Sequence, residues 1–235
     1  MILFVMASSG AAEARTKTTF DLGALSRPAG SVPWNILVLL TVLTLLPAIV
    51  LSMTPFVRLL VVFHFLRQAL GTQTTPSNQT LIGLSLILTF FLMQPVGVAI
   101  HDAAIVPYEA GQTDAMGAVD FAAAPVRKFM LRYSREKDLA LFLDLAKEPR
   151  PARPEDLPMR VVLPAYLISE LKAGFQIGAA LYLPFLVVDM AVAAITTSVG
   201  MLQLPPVVIS TPLKILLFVM VDGWNLLVGS LMKSF

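Results

Sequence analysis

Long apolar segments alternate with short polar ones along the chain, and this alternation is the strongest pattern in the sequence. The apolar segments are residues 34–51, 81–100, 161–204 and 205–235. A helix needs about 20 apolar residues to cross the hydrocarbon core of a bilayer, so each segment is long enough, the first only just. Residues 56–70 are amphipathic instead, because Arg58, His64 and Arg67 interrupt them. The pattern predicts an all-α, multi-span helical membrane protein.

Turn-forming residues divide this pattern into two predicted membrane hairpins of broken helices, residues 34–100 and residues 161–235. In the first hairpin, residues 71–80 are wholly polar or turn-forming, and such residues disfavour a continuous helix. In the second, Pro184 lies inside a long apolar segment, which is therefore either one extended helix or two half-helices. A further break is expected near Pro212.

The region between the hairpins, residues 101–160, differs from both because it holds most of the charge, with the two signs mixed. Residues 125–146 show helical spacing of their apolar positions. Residues 147–158 (KEPRPARPEDLP) contain four prolines in twelve positions, which predicts an extended connector. We therefore expect a small helical module outside the membrane. It is too small and polar to bury a large core of its own, so we expect it to pack against neighbouring subunits.

Residues 1–33 precede the first hairpin and carry a weaker pattern. Residues 1–14 are a short apolar run followed by small residues. They lack the basic start and the apolar core of about 7–15 residues that a secretory signal needs. Two interpretations stay open: an N-terminal tail, or the remnant of a signal peptide that begins upstream.

Composition excludes several classes of function. Hydrophobic residues make up 57% of the chain and charged residues 14%, whereas soluble proteins carry roughly 45–50% and 25%. A net charge of +2 without a basic run gives no sign of nucleic-acid binding. The absence of cysteine excludes thiolate metal sites and cysteine nucleophiles. Since there are only two histidines as well, we expect no metal and no cofactor.

Catalytic motifs are also missing from the sequence. It contains no HExxH, no GxSxG and no phosphate-binding GxxxxGK[ST]. Asp189 and Asp222 invite comparison with intramembrane aspartyl proteases, which need two aspartates in one site. The Gly-x-Gly-Asp sequence expected of those proteases is absent. We therefore predict that the protein is not an enzyme and has no catalytic residues.

Ionisable side chains inside the apolar segments are the first candidates for function, because an unpaired charge at the bilayer centre costs at least about 2.5–3.5 kcal/mol. They are Arg58, His64, Arg67, Glu170, Lys172, Asp189, Lys214 and Asp222. A transporter would pair them around a substrate path, whereas an oligomer would pair them between subunits. We predict that Arg58, Arg67, Asp189 and Asp222 are buried polar groups.

A pair of glycines forms the second candidate. Gly174 and Gly178 lie four residues apart and would share one face of a helix. Such small-xxx-small surfaces let two helices approach closely. The partner helix is expected either in the same subunit or in a neighbouring one.

Two blocks of the sequence resemble a single protein family. The first is FLRQALGTQTTPSNQTLIGLSLILTFFLMQPV, residues 65–96. The second, within residues 163–235, includes LPAYLISELKAGFQIGAALYLPFLVVDM and GMLQLPPVVISTPLKILLFVMVDGWNLLVGSLMKSF. Both resemble the FliP family of flagellar type III export-gate proteins. The SctR proteins of virulence injectisomes share much of both blocks, but the ending DGWNLLVGSL looks more like the flagellar branch.

The resemblance implies a core subunit of the flagellar type III export gate, forming the channel through which unfolded flagellar proteins pass toward the periplasm. It implies a homopentamer assembled with FliQ and FliR near FlhA and FlhB, in the bacterial inner membrane at the flagellum basal body. Residues 101–160 are then expected on the periplasmic side. The alternative from another class is a secondary transporter or ion channel, for which proline-broken helices are suited. It predicts an internal repeat, which the sequence does not show.

The resemblance also points to a channel constriction, expected at Gly200, Met201, Leu202, Gln203 and Leu204. The glycine supplies backbone freedom, while methionine and leucine side chains can exclude water and repack around varied cargo. FliP-like proteins have a methionine-rich loop here, so Leu202 and Gln203 depart from the family pattern.

Glu170 and Lys214 are expected to form a charge pair between adjacent copies. Each lies in an otherwise apolar segment, and opposite charges in a low dielectric offset one another's desolvation. The resemblance adds an acid and a base at these positions of the family's motifs. Pairing within one subunit, or with Lys172, is the alternative.

Overall fold

A computed structural model describes residues 33–200 and 205–235 of the chain, and these residues are organised as helices without strands. The nine α-helices are α1 (Trp34–Ser52), α2 (Phe56–Ala69), α3 (Asn78–Ile100), α4 (Val106–Glu109), α5 (Ala115–Tyr133), α6 (Glu136–Ala146), α7 (Met159–Ser198), α8 (Pro206–Met220) and α9 (Gly223–Lys233). The predicted all-α fold is therefore confirmed. Three helical stretches are long and apolar enough to span a membrane, or four if α8 and α9 together form one span.

Tertiary packing separates the described residues up to 43 from those of 44–235, and the contacts below all lie within the second unit. Helix α1 crosses this boundary. None of its residues is buried, although nearly all are apolar. A helix with an apolar surface on every side is typical of a membrane span.

The main core lies between α2 and α7. Apolar positions recur on α2 at Leu59, Val62, Phe63 and Leu66, all fully buried. This i, i+3, i+4, i+7 spacing forms one continuous stripe along a helix. Because this stripe shares one core with buried residues of α3, α7, α8 and α9, the amphipathic helix predicted from residues 56–70 is the centre of the fold.

Helix α3 begins at Asn78, within the predicted polar turn of residues 71–80, and extends farther than the sequence pattern indicates. The Ser77 hydroxyl accepts a hydrogen bond from the backbone N–H of Thr80 at 3.2 Å, which caps the start of α3. At the other end, a π-helical turn (His101–Ile105) joins α3 directly to α4, giving one helical stretch of 32 residues. The predicted boundary at residue 101 therefore falls inside a helix, because a change to charged residues does not by itself end one.

The module predicted between the hairpins consists of α5, α6 and the proline-rich connector, whose only regular element is the short 3₁₀ turn Pro154–Asp156. The helical region predicted at 125–146 is divided at Ser134 and Arg135, where the backbone is extended. A second core joins this module to the start of α7, through the buried residues Met130, Leu143, Leu157, Val161, Val162 and Tyr166. The module thus packs on its own chain, and neighbouring subunits are not needed to cover this face.

Helix α7 settles the alternatives left open at Pro184. It is a single helix of 40 residues with Pro164 and Pro184 inside it. At 1.5 Å per residue its length is about 60 Å, twice the hydrocarbon thickness of roughly 30 Å. Proline removes one backbone hydrogen bond and can bend a helix, but it ends a helix only where nothing else supports it.

The last hairpin bends at a different place from the one predicted. Pro212 lies inside α8, and the chain turns instead at Asp222, where α8 and α9 meet at an angle of 66°. Asp222 adopts a left-handed conformation with a φ of 51°, which stops the helix. The next residue, Gly223, packs against the Phe218 ring so closely that a side chain has no room. Local backbone conformation, not proline, sets this break.

Candidate functional site

A buried ion pair joins α2 to α7 at the centre of the described unit. The Arg58 guanidinium donates through Nη2 to Oε1 of Glu170. Only 5% of Arg58 and none of Glu170 is exposed. A charge pair this deep is expensive to desolvate, so its geometry and its further partners decide what it contributes.

The other side of the Arg58 guanidinium holds the segment that follows α9. Its Nη1 donates to the backbone oxygen of Ser234 at 3.3 Å and to the Ser234 hydroxyl at 3.2 Å. The Phe235 ring lies against the guanidinium, with 3.9 Å from Cζ to the ring centroid, a cation–π distance. The Tyr133 hydroxyl of α5 donates to the backbone oxygen of Phe235. We call Arg58, Tyr133, Glu170, Ser234 and Phe235 the Arg58 cluster.

The Arg58 cluster ties four parts of the chain together but leaves some polar atoms without a partner. Among the described residues, none hydrogen-bonds to Glu170 Oε2, Arg58 Nε or the neighbouring Tyr166 hydroxyl, although all three atoms are buried. An unsatisfied buried polar atom costs about 1–3 kcal/mol. Glu170 therefore depends on a single partner, whereas Arg58 has several.

A second ion pair joins α7 to α8. Lys214 Nζ lies 2.5 Å from Asp189 Oδ2, and the Ser210 hydroxyl donates to Asp189 Oδ1 at 2.6 Å. The Lys214 side chain is 4% exposed, and that of Asp189 is 27% exposed. The pair therefore fixes α8 against α7.

These two pairs correct the reasoning behind a Glu170–Lys214 contact between copies. That expectation depended on each charge lacking a partner in its own chain, but Glu170 pairs with Arg58 and Lys214 pairs with Asp189. Lys172, the other alternative, is exposed on α7. Sequence distance misled here, because the partners lie 112 and 25 residues away along the chain.

The four predicted buried polar groups have different outcomes. Arg58 is buried, Arg67 and Asp189 are half-buried, and Asp222 is exposed. Arg67 donates to Asn78 Oδ1 at 2.6 Å and so fastens the polar turn to the end of α2. The prediction for Asp222 was wrong, because this residue lies at the break between α8 and α9 in a left-handed conformation, where its side chain is exposed.

Gly174 and Gly178 lie on the α7 face that meets α2 in the same chain. A Cβ added at Gly178 would lie 2.5 Å from Cγ and Cδ2 of Phe65, and one added at Gly174 would lie 3.1 Å from Cγ1 of Val61. The approach at Gly178 is closer than any real side chain comes, and the one at Gly174 is tight, so these glycines permit the α2–α7 contact. Of the two alternatives, packing within one subunit is the one observed.

The predicted constriction falls mostly on residues 201–204, outside the described part of the chain. Gly200 is described and has a φ of 77°, in the left-handed region that glycine adopts without strain. Its backbone N–H donates to the Thr197 oxygen at 3.1 Å, which closes the end of α7. The constriction stays a prediction.

Sequence reasoning missed several contacts that complete these sites. Ser210 precedes Lys214 by one helical turn, so a polar face on α8 was readable from the spacing. Tyr133 and Phe235 gave no such signal, since their contacts depend on where α5 and α9 pack. No group of three or more His, Asp or Glu side chains among residues 33–200 and 205–235 is arranged to hold a metal ion.

Comparison with known proteins agrees with the resemblance of the two sequence blocks. The model of the FliP family matches residues 39–231. Proteins described as flagellar biosynthetic protein FliP are 51% identical in Pectobacterium carotovorum subsp. carotovorum, over 88% of this chain and 82% of the relative, and 48% identical in Cereibacter sphaeroides, over 86% and 67%. The protein of that description in Bacillus subtilis is also 48% identical, over 86% of this chain and 91% of its own length.

Proposed function

We propose that this chain, which belongs to the FliP family and is a component of the flagellar export apparatus, is a core subunit of the export gate. In this proposal several copies surround a channel through which unfolded flagellar proteins pass toward the periplasm. The family is not a known enzyme family, and in this proposal the chain performs no chemistry of its own on the cargo.

The observation that carries the proposal is the amount of apolar helix surface that the single chain leaves uncovered. No residue of α1 is buried, and only 17% of the most apolar stretch is buried in the α3–α4 helix and in α7. Phe90 is 82% exposed and Phe91 65% exposed. At about 25 cal/mol per Å² of apolar area, such surfaces are strongly driven to meet lipid or other helices.

The charged groups support assembly through apolar faces. Because the buried pairs Arg58–Glu170 and Asp189–Lys214 are already formed within one chain, contacts between copies do not need to compensate them. We propose a pentamer with FliQ and FliR, near FlhA and FlhB, in the inner membrane at the flagellum basal body. The constriction of that channel is proposed at residues 200–204, between α7 and α8.

The test is the mass of the assembled particle. The chain is co-expressed with FliQ and FliR, extracted in a mild uncharged detergent and weighed by native mass spectrometry. We expect a stable particle that contains five copies of the 25.4 kDa chain together with both partners. A monomer or dimer without FliQ and FliR would contradict the proposed assembly.

The channel itself needs a separate measurement in the assembled particle. Replacement of Met201 and Leu202 by glycine should raise ion leakage across the membrane while the particle mass stays unchanged, because the apolar side chains that exclude water are lost. Replacement of Val199 by glycine, one residue before the proposed constriction, is the matched control. An intact ion barrier in the double variant would place the seal elsewhere.

A further inference from the structure

A groove with a volume of about 750 Å³ is lined by residues of α3 and α5 and by Phe235. Its floor is largely apolar, and the main contributors are Phe91, Pro95 and Phe129. Two cations stand at its edge, Lys128 and Arg132 of α5. The groove therefore combines an apolar floor with a positively charged rim.

The rim cations are available to a ligand. Lys128 and Arg132 are exposed, and neither forms an ion pair with any residue in the described ranges 33–200 and 205–235. The Arg132 guanidinium lies over the Tyr133 ring, with 5.6 Å from Cζ to the ring centroid. A smaller neighbouring pocket adds Arg153 and a single acid, Glu155, to the same two residues, so cations exceed acids there by three to one. This charge favours an anionic ligand.

The position of the floor along the chain indicates where the ligand comes from. The α3–α4 helix starts at Asn78 and contains 32 residues, so it is longer than the 20 or so that cross a bilayer. A span that begins at Asn78 reaches the headgroup region near the residues that line the groove, 91–99. Apolar side chains at this depth meet acyl chains, and Lys or Arg side chains there reach the headgroups.

We propose that this groove binds an anionic phospholipid, with one acyl chain along the apolar floor and the phosphodiester between Lys128 and Arg132. Lipid binding should also affect the Arg58 cluster, because Phe235 belongs to that cluster and lines the groove. Because Phe235 also lies against the Arg58 guanidinium, a bound acyl chain presses on the Arg58 cluster and holds the segment after α9 in place. Lipid binding therefore stabilises the folded chain. The proposal needs the chain to lie in a membrane and does not depend on the channel.

The experiment measures thermal unfolding of the full chain in an uncharged detergent while dioleoyl phosphatidylglycerol is added. We expect the melting temperature to rise with this lipid and to rise far less with dioleoyl phosphatidylcholine, which has the same acyl chains but no net charge. Lys128→Gln with Arg132→Gln should raise the half-saturating concentration by about 30-fold, which corresponds to two cations near an anionic surface. The control is Lys137→Gln with Lys147→Gln, which removes the same charge from exposed positions on and next to α6. This variant should leave the half-saturating lipid concentration unchanged.

Further arms separate the lipid from other occupants. Ala99→Trp fills the groove from an exposed position without removing a charge, and it should weaken phosphatidylglycerol binding to a similar extent. Equal effects of the two lipids would overturn the proposal, as would an equal rise with soluble glycerol phosphate. If neither rim nor groove variants change the lipid response, but both abolish self-association, the groove is a contact between protein chains and the lipid assignment is wrong.

Discussion

The two partners of the buried Arg58–Glu170 pair should differ in how much their loss destabilises the chain. In Arg58→Met, the Glu170 carboxylate loses its only hydrogen-bond donor among the described residues and stays fully buried. In Glu170→Met, the Arg58 guanidinium keeps the two Ser234 oxygens and the Phe235 ring. The substitution of the arginine is therefore predicted to be the more damaging one.

The magnitudes follow from the groups that each variant leaves behind. An uncompensated buried charge costs about 3–5 kcal/mol, which we expect for Arg58→Met. The retained contacts in Glu170→Met limit its cost to about 1–3 kcal/mol. In the double variant no charge remains buried, so it should be more stable than Arg58→Met alone by about 2 kcal/mol, even though the contacts to Ser234 and Phe235 stay lost.

The measurement is the free energy of unfolding of each purified variant in mixed detergent micelles, with SDS as the denaturant. Lys172→Met, an exposed change on the same helix as Glu170, is the control and should stay within about 0.5 kcal/mol of the parent chain. A Glu170→Met variant as unstable as Arg58→Met would refute the argument from retained partners. A double variant as unstable as Arg58→Met would show that the buried carboxylate is not the cause of the loss.

Two further predictions concern the other contacts of α7. Gly178→Leu should lower the free energy of unfolding by more than about 3 kcal/mol, because the new side chain would clash with the Phe65 ring. The control is Gly83→Leu, since an added Cβ there meets no neighbouring element within 4 Å. Equal losses in the two variants would contradict the packing argument. Asp189→Leu should lower the free energy of unfolding more than Lys214→Met does in the same assay. The Lys214 side chain is 4% exposed and would stay buried without a counter-charge, whereas the Asp189 side chain is 27% exposed and keeps access to solvent. The reverse order of the two losses would refute this argument.

The all-α architecture was readable from the sequence because it depends on local patterns. The apolar runs predicted α1 and α3 and left α7 open as one helix or two, and the amphipathic spacing of α2 predicted its buried stripe. A polar turn after α2 was also predicted, at residues 71–80, but α3 begins at Asn78, so the turn ends three residues earlier, at the helix cap Ser77. In each case neighbouring residues determine the outcome, so an isolated chain segment contains the information.

The sequence did not show which charged residues form ion pairs with each other, because these pairs depend on how the helices pack. Glu170 lies between Arg58 and Lys214 in the sequence, and nothing in the spacing indicates which of them it meets. The break at Asp222 shows a different limit. A left-handed aspartate is uncommon and has no sequence signature as strong as that of proline. The break was therefore predicted near Pro212, whereas the backbone turns ten residues later, at Asp222.

The order in which the ribosome delivers the members of the Arg58 cluster constrains how the protein is made. Glu170 follows Arg58 by 112 residues, and Ser234 follows Arg58 by 176 residues. At a synthesis rate of about 5–20 residues per second, Glu170 is added roughly 6–22 s after Arg58, and Ser234 roughly 9–35 s after Arg58. During the first interval Arg58 lacks the counter-charge of Glu170, so the nascent chain needs water, lipid phosphates or an insertion factor to shelter the guanidinium. Ser234 and Phe235 can close the cluster only after the helices described here, from α1 to α9, have been synthesised.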